Sequence, residues 1–269
     1  MRNLLPTVAI LSMNLIGAAA IGAQPVPSPP DHKVIELRQY KLTPGSQARF
    51  IALFDSEFVE PQEAAGMRLI GQFHDHDRPD RFTWIREFPS MAKRPEMLGD
   101  FYFGPVWHEY RDVANPMLWD NDNVLLLREA RQGSGFGPSA PRPTGHEHST
   151  DSNTIFAVIE YLWKEPDEGF ENFFIDHMAP MLNQAGLPVL GVYVPEEQPN
   201  NFPRLPIRPD RHLLVWFTKA AHPDDFEMIE KRLRASSEWT ETVAPTLAIS
   251  EERAPTVLRL DPNPRSALR

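Results

Sequence analysis

Two stretches decide the fold: Phe50-Ile51-Ala52-Leu53-Phe54-Asp55-Ser56-Glu57-Phe58 and, 120 positions later, Phe170-Glu171-Asn172-Phe173-Phe174-Ile175-Asp176-His177-Met178. In both, large apolar side chains fall at i, i+3, i+4 and i+8, the spacing of one helix face. Both run into a glycine at the same shift, Gly66 and Gly186, as a left-handed C-terminal cap requires. Gly71 and Gly191 follow, then Phe73 and Tyr193. A register held without gaps from 50 to 73 marks an internal repeat, the first feature to seek in a chain of this length.

Working outward, each helix is preceded by a run rich in β-branched and aromatic residues, 34–40 and 156–162, and followed by a second such run at 81–88 and 213–217. These are strands. A further helix comes next in each half, near Trp107 in the first and from Pro223 to Trp239 in the second. Each half closes on a strand, 124–128 and 256–260. The order is β-α-β-β-α-β twice, the split βαβ pattern. Residues 33–130 form the first repeat and 153–262 the second. Between them, 131–152 is a linker rich in Gly, Ser and Pro, and 263–269 is a C-terminal tail.

The expected class is therefore α+β, with two tandem ferredoxin-like repeats. Helices cover one face of such a sheet and the other face needs a partner. Two copies in one chain can join their bare faces into a pseudo-dimeric α/β barrel around an enclosed lumen. The alternative is pairing between molecules, and a homodimer is compatible with either.

The formal net charge is -10, from 27 basic and 37 acidic residues. That balance argues against nucleic acid and anionic membrane surfaces as partners. With no cysteine, disulfides, thiolate nucleophiles and thiolate-held clusters are excluded. No Gly-rich nucleotide loop, nucleophile elbow or H-E-x-x-H motif occurs. The N-terminus reads as a bacterial-type export signal over 1–23: Arg2, an apolar run, then small residues at Ala18, Ala19, Ala20 and Ala23. An uncleaved anchor is the other reading, although Pro6 and Asn14 interrupt the run. A Pro-rich tether, 24–32, follows. A periplasmic or secreted location, with no membrane span after processing, is the expectation.

Several stretches resemble the NIPSNAP family. Glu36-Leu37-Arg38-Gln39-Tyr40-Lys41-Leu42-Thr43-Pro44-Gly45 resembles its E-L-R-x-Y opening with a P-G turn. The insertion Pro199-Asn200-Asn201-Phe202-Pro203-Arg204-Leu205-Pro206-Ile207-Arg208, the following Trp216-Phe217 strand and the ending Arg265-Ser266-Ala267-Leu268-Arg269 resemble bacterial members. The second half departs from the pattern, keeping Glu160 but not the Arg-x-Tyr. The resemblance implies a dimeric α/β-barrel fold, shared with small monooxygenases, and a lumen. It implies no single reaction.

Strand alternation puts Glu36, Arg38 and Tyr40 on one face and Ile35 and Leu37 on the other. The apolar face is expected against the helices and the polar face in the lumen, with Glu160 at the matching position of the second half. Two carboxylates beside one cavity can act as acid and base; a structural Glu36–Arg38 ion pair is the alternative. His177 is a candidate base on a helix, and the axial ligand if the barrel holds haem. Trp84, Arg204 and Arg208 are candidate ligand contacts, the arginines for an anion. No cofactor and no metal site is expected, since His74-Asp75-His76-Asp77 and His146-Glu147-His148 read as solvated turns. The function expected is binding of a small, partly apolar molecule in the lumen, in a cofactor-independent oxygenase or isomerase-type enzyme. A non-enzymatic binding or scaffolding module is the alternative.

Overall fold

The computed structural model describes residues 32–138, 141–143 and 153–269. The expected export signal, most of the expected tether and His146-Glu147-His148 lie outside the described residues. No helix among the described residues is long and apolar enough to cross a membrane.

The first half runs β1 (Val34–Leu42), α1 (Gln47–Leu53), a π-helical turn (Phe54–Phe58), α2 (Val59–Ala64), β2 (Arg68–Asp75), β3 (Arg81–Phe88), α3 (Arg94–Tyr102), α4 (Pro105–Ala114), a short β4 (Leu118–Asp120) and β5 (Val124–Glu129). The second half repeats the plan with β6 (Thr154–Leu162), α5 (Glu168–Phe173), a π-helical turn (Phe174–Met178), α6 (Ala179–Ala185), β7 (Gly191–Pro195), β8 (Leu213–Ala220), α7 (Asp225–Arg234), α8 (Ala244–Ser250) and β9 (Glu251–Pro262). The π turns fall at the same place in both copies. Such a turn carries i→i+5 bonds, and here it keeps Phe54 and Phe58, four residues apart, on the sheet-facing side.

Strand order within the halves is β5-β1-β3-β2 and β9-β6-β8-β7. Leaving out the short β4, each is the fourth, first, third and second strand of its unit, every pairing antiparallel. Two seams join the halves. β2 pairs with β9, as Phe73 with Pro262, and β5 pairs with β7, as Leu127 with Pro195. The second strand of each half thus meets the fourth of the other, and eight strands close into a barrel.

The segment after each fourth strand crosses the glycine of the opposite second strand. Ser266 Oγ lies 2.8 Å from where a Cβ on Gly71 would stand, and the Phe136 nitrogen 3.4 Å from one on Gly191. A Cβ at either glycine would first strike the ring two residues on, Phe73 or Tyr193, so the missing side chain makes room for that aromatic and, beside it, the crossing chain. The described part of the linker is accordingly packed. Phe136 is buried against Phe217, with ring centroids 4.8 Å apart, and its backbone N–H donates to the Tyr193 hydroxyl at 2.7 Å.

The barrel has three cores, and they reverse the expected strand faces. Ile35, Leu37, Ile85, Leu125, Ile155, Ile159, Val215 and Phe217 meet in the lumen and fill it with apolar side chains. The opposite face of β1 carries Val34, Glu36, Arg38, Tyr40 and Leu42, and it packs under the helices of its own half. A closed lumen lined by backbone already paired in the sheet has no water to solvate charge, so the apolar residues go there. The charged face lies between sheet and helices, where it is equally buried.

Candidate functional site

Glu36, Arg38, Arg86 and Arg94 have no exposed surface at all. One oxygen of Glu36 accepts from Arg38 Nη1 at 2.7 Å and Arg86 Nε at 2.8 Å; the other accepts from Arg94 Nε at 2.8 Å and Nη2 at 2.5 Å. A single carboxylate therefore serves three guanidiniums, and among the described residues two positive charges remain uncompensated inside the fold. Burial opposes ionisation of Glu36, but Arg86, Arg94 and Arg38 overcome it and hold the carboxyl well below the usual carboxylate range. Arg94 is pushed down, first by its own burial and then, against the pull of Glu36, by its two cationic neighbours. Such a Glu36 is a fixed counter-ion, and the acid/base role expected of it is not available.

Other donors of the cluster go to neutral acceptors. Arg38 Nε donates to the Tyr40 hydroxyl at 2.8 Å, Arg86 Nη1 to Gln62 Oε1 at 2.9 Å, and Arg94 Nη1 to Asn200 Oδ1 at 3.0 Å and Asn201 Oδ1 at 2.9 Å. Arg38 Nη2 and Trp84 Nε1 are buried with no hydrogen-bond partner among the described residues. Burial raises the Tyr40 hydroxyl above its ordinary range against the pull of Arg38, so it is a neutral phenol at pH 7. It accepts from Arg38, and no described residue takes its own proton.

Next to this cluster is a cavity of about 70 Å³ between β1 and β3 on one side and the helices on the other. Tyr40 and Trp84 form its sheet wall, Phe50, Phe54 and Phe58 its helical wall, and Leu205 of the second half closes part of it. Arg38 and Arg86 lie over the Trp84 ring at 5.5 and 4.9 Å. Its aromatic walls, with Tyr40 and Trp84 among them and cations behind, suit an apolar body that carries an oxygen anion.

The structure brings together Glu36, Arg38, Tyr40 and Trp84. It separates the other candidates from them. Residues 34–42 and 154–162 are equivalent one for one: Val34 faces Phe88 as Thr154 faces Ala220, and Arg38 faces Trp84 as Val158 faces Trp216. Glu160 is thus the counterpart of Tyr40, and Phe156 that of Glu36. The two carboxylates lie under the helices of different halves and share no cavity. Burial raises Glu160 to about 7, although the Trp216 indole donates to it at 2.9 Å. His177 is exposed on the π turn, its ring 5.9 Å from that of Phe173. Arg204 is exposed over Phe103, and Arg208 binds Asp210 at 2.7 Å and Asn123 at 2.8 Å. Neither arginine reaches the cavity. Among the described residues no histidine lines it, and 70 Å³ is a fraction of a porphyrin's volume; these residues do not fit haem. In the His74–Asp77 turn, Asp75 binds Arg78 at 2.9 Å through Nε, and His76 binds Asp261 at 2.8 Å.

Arg86 had a signal in the sequence: Phe82, Trp84, Arg86 and Phe88 alternate, so a charge interrupts an aromatic stripe. Arg94 and Gln62 had none, and the insertion that carries Asn200 and Asn201 stood out without naming its partner, because tertiary packing alone brings them to this cluster.

The second half shows how the fold closes without the charge cluster. Phe156, Val158 and Thr218 stand where Glu36, Arg38 and Arg86 stand, and Phe226 stacks on Phe156 at 4.8 Å where Arg94 grips Glu36. The same architecture closes with an apolar cluster. Burying charge in its place is costly, and apolar replacement of a buried ion cluster is commonly neutral or stabilising.

Residues 35–128 match the NIPSNAP family model. Nothing among curated proteins matches the chain. Among solved structures, a candidate monooxygenase from Lactobacillus acidophilus superposes with a TM-score of 0.54 at 11% identity, over 86% of this chain and 94% of that one. A candidate monooxygenase from Fusobacterium nucleatum gives 0.55 at 10%, over 86% and 93%. An anthrone oxidase-like protein gives 0.53 at 10%, over 87% and 92%. At such identities the likeness is one of fold.

Proposed function

The first repeat of this chain belongs to the NIPSNAP family, and from that premise we propose that its helix–sheet cavity binds a small, partly apolar molecule and stabilises negative charge on one of its oxygens. The observation that carries this is the net positive, fully buried Glu36–Arg38–Arg86–Arg94 cluster beside an aromatic cavity, set against its apolar replacement in the second half. Tyr40 donates its phenol proton to the bound oxygen, Trp84 Nε1 is the second donor, and Arg38 stabilises the charge through Tyr40. Glu36 orients the arginines and moves no proton. An enolate or phenolate held in this way is the species through which an isomerase-type proton transfer passes, and also the electron-rich form a cofactor-independent oxygenase needs. The fold neighbours favour the second by analogy only. Export, read from residues 1–23, is part of the proposal; N-terminal sequencing of periplasmic protein should start after Ala20 or Ala23, and an intact Met1 there would exclude cleavage.

The test uses 4-nitrophenol, whose phenolate absorbs visible light. Bound to the parent protein at fixed pH, it should ionise more than in buffer. Tyr40→Phe should weaken phenolate over phenol binding by about tenfold or more, since loss of one oxyanion donor costs roughly 10²–10³ in catalysis. Binding with no change in ionisation, or a Tyr40→Phe variant identical to the parent, would overturn the reading.

A further inference from the structure

The insertion between β7 and β8 belongs to the second half by sequence but completes the first half's site. Phe202 is buried in the first half's core beside Tyr102, with ring centroids 6.3 Å apart. Asn200 and Asn201 both accept from Arg94 Nη1, and Asn201 Nδ2 donates to the Met91 carbonyl at 2.6 Å. Leu205 is the second-half residue in the cavity wall among the described residues. The insertion forms no strand; a backbone bond from Arg208 to the Val124 carbonyl at 2.8 Å ties its far end to the sheet.

Size gives this arrangement its meaning. A cavity of about 70 Å³ is less than half of the roughly 150 Å³ that admits benzene in an engineered protein core. Its walls are rings suited to a ring, yet no ring fits while every wall is in place. The sheet wall is fixed by pairing on both edges and the helical wall by the aromatic core. The insertion is the wall that, apart from the Arg208 backbone bond at its far end, is held by side chains.

Resting on the functional reading above, we propose that residues 199–208 are the specificity-determining lid of the first repeat's site. Leu205 is the size filter and the Arg94–Asn200/Asn201 contact is the latch. Ligand entry swings Leu205 out, and closure returns two amide oxygens to Arg94, so the lid's position is coupled to the charge cluster behind the cavity.

The experiment compares 4-nitrophenol with the bulkier 4-nitro-1-naphthol on the full chain, by absorbance and by stopped-flow binding. Leu205→Ala should shift preference toward the naphthol by about tenfold or more, as a change of a methylene or two in an apolar pocket does. Leu205→Trp should exclude both. Asn200→Ala with Asn201→Ala should speed association and dissociation together, while near-ultraviolet circular dichroism confirms an intact fold. If Tyr40→Phe alters phenolate binding but Leu205→Ala leaves the naphthol preference unchanged, the lid proposal falls and the site stands. If no variant binds either phenol, both fall.

Discussion

Glu36→Gln is the substitution whose consequence the structure fixes most tightly. The carboxylate accepts from Arg38 and Arg86 on one oxygen and twice from Arg94 on the other. Glutamine keeps one acceptor oxygen and turns an N–H₂ donor toward guanidinium donors at the second position. It also raises the uncompensated buried charge from two to three. Removing one partner of a buried ion pair costs about 3–5 kcal/mol. That is a large share of the roughly 5–15 kcal/mol that holds a domain folded. The same physics predicts a rescue. Glu36→Phe, Arg38→Val, Arg86→Thr and Arg94→Phe together copy the cluster at Phe156, Val158, Thr218 and Phe226, and should return stability to within about 2 kcal/mol of the parent, the remainder being imperfect packing. Urea unfolding at pH 7, followed by tryptophan fluorescence, reads both variants against the parent. The fourfold variant should fold and no longer bind 4-nitrophenol. A loss below about 1 kcal/mol for Glu36→Gln, or a fourfold variant no more stable than Glu36→Gln, would refute the argument that these charges are kept for a ligand at the expense of stability.

Glu160 predicts a pH effect of definite sign. Its folded-state value of about 7 lies above its ordinary 4.5, so the folded chain binds the extra proton. Its contribution is fully present below pH 4.5 and is lost as pH rises through 7, about 3 kcal/mol across the window at 1.36 kcal/mol per unit. Glu160→Gln should flatten that slope in urea unfolding measured from pH 5 to 8 and be the more stable protein at pH 8; an unchanged slope would assign the titration elsewhere. Phe136→Ala should cost about 3–5 kcal/mol if the segment after β5 is part of the barrel core, read by the same unfolding curve, whereas a change within about 0.5 kcal/mol would mean a loose linker.

The sequence by itself determined the repeat and its strand–helix order, because periodicity and glycine placement are local properties. Gly66 and Gly186 adopt φ of 94° and 100°, the left-handed cap that their position after an amphipathic helix demands. The pairing of Glu36, Arg38 and Tyr40 on one face also follows from alternation alone. Which face turned inward did not. Alternation divides a strand into two sides without saying which meets the helices, and that depended on closing two sheets around a lumen with no water. Matching Glu160 to Glu36 by residue type hid the true register, in which the shift of 120 runs unbroken through the first strands and sets Glu160 opposite Tyr40. Arg94 and Asn200 are 106 positions apart and reach the site from a helix start and a loop of the other half, contacts that local pattern does not carry. The chain wrote both halves of the barrel; only folding them against each other decided that one half holds the site and the other closes it.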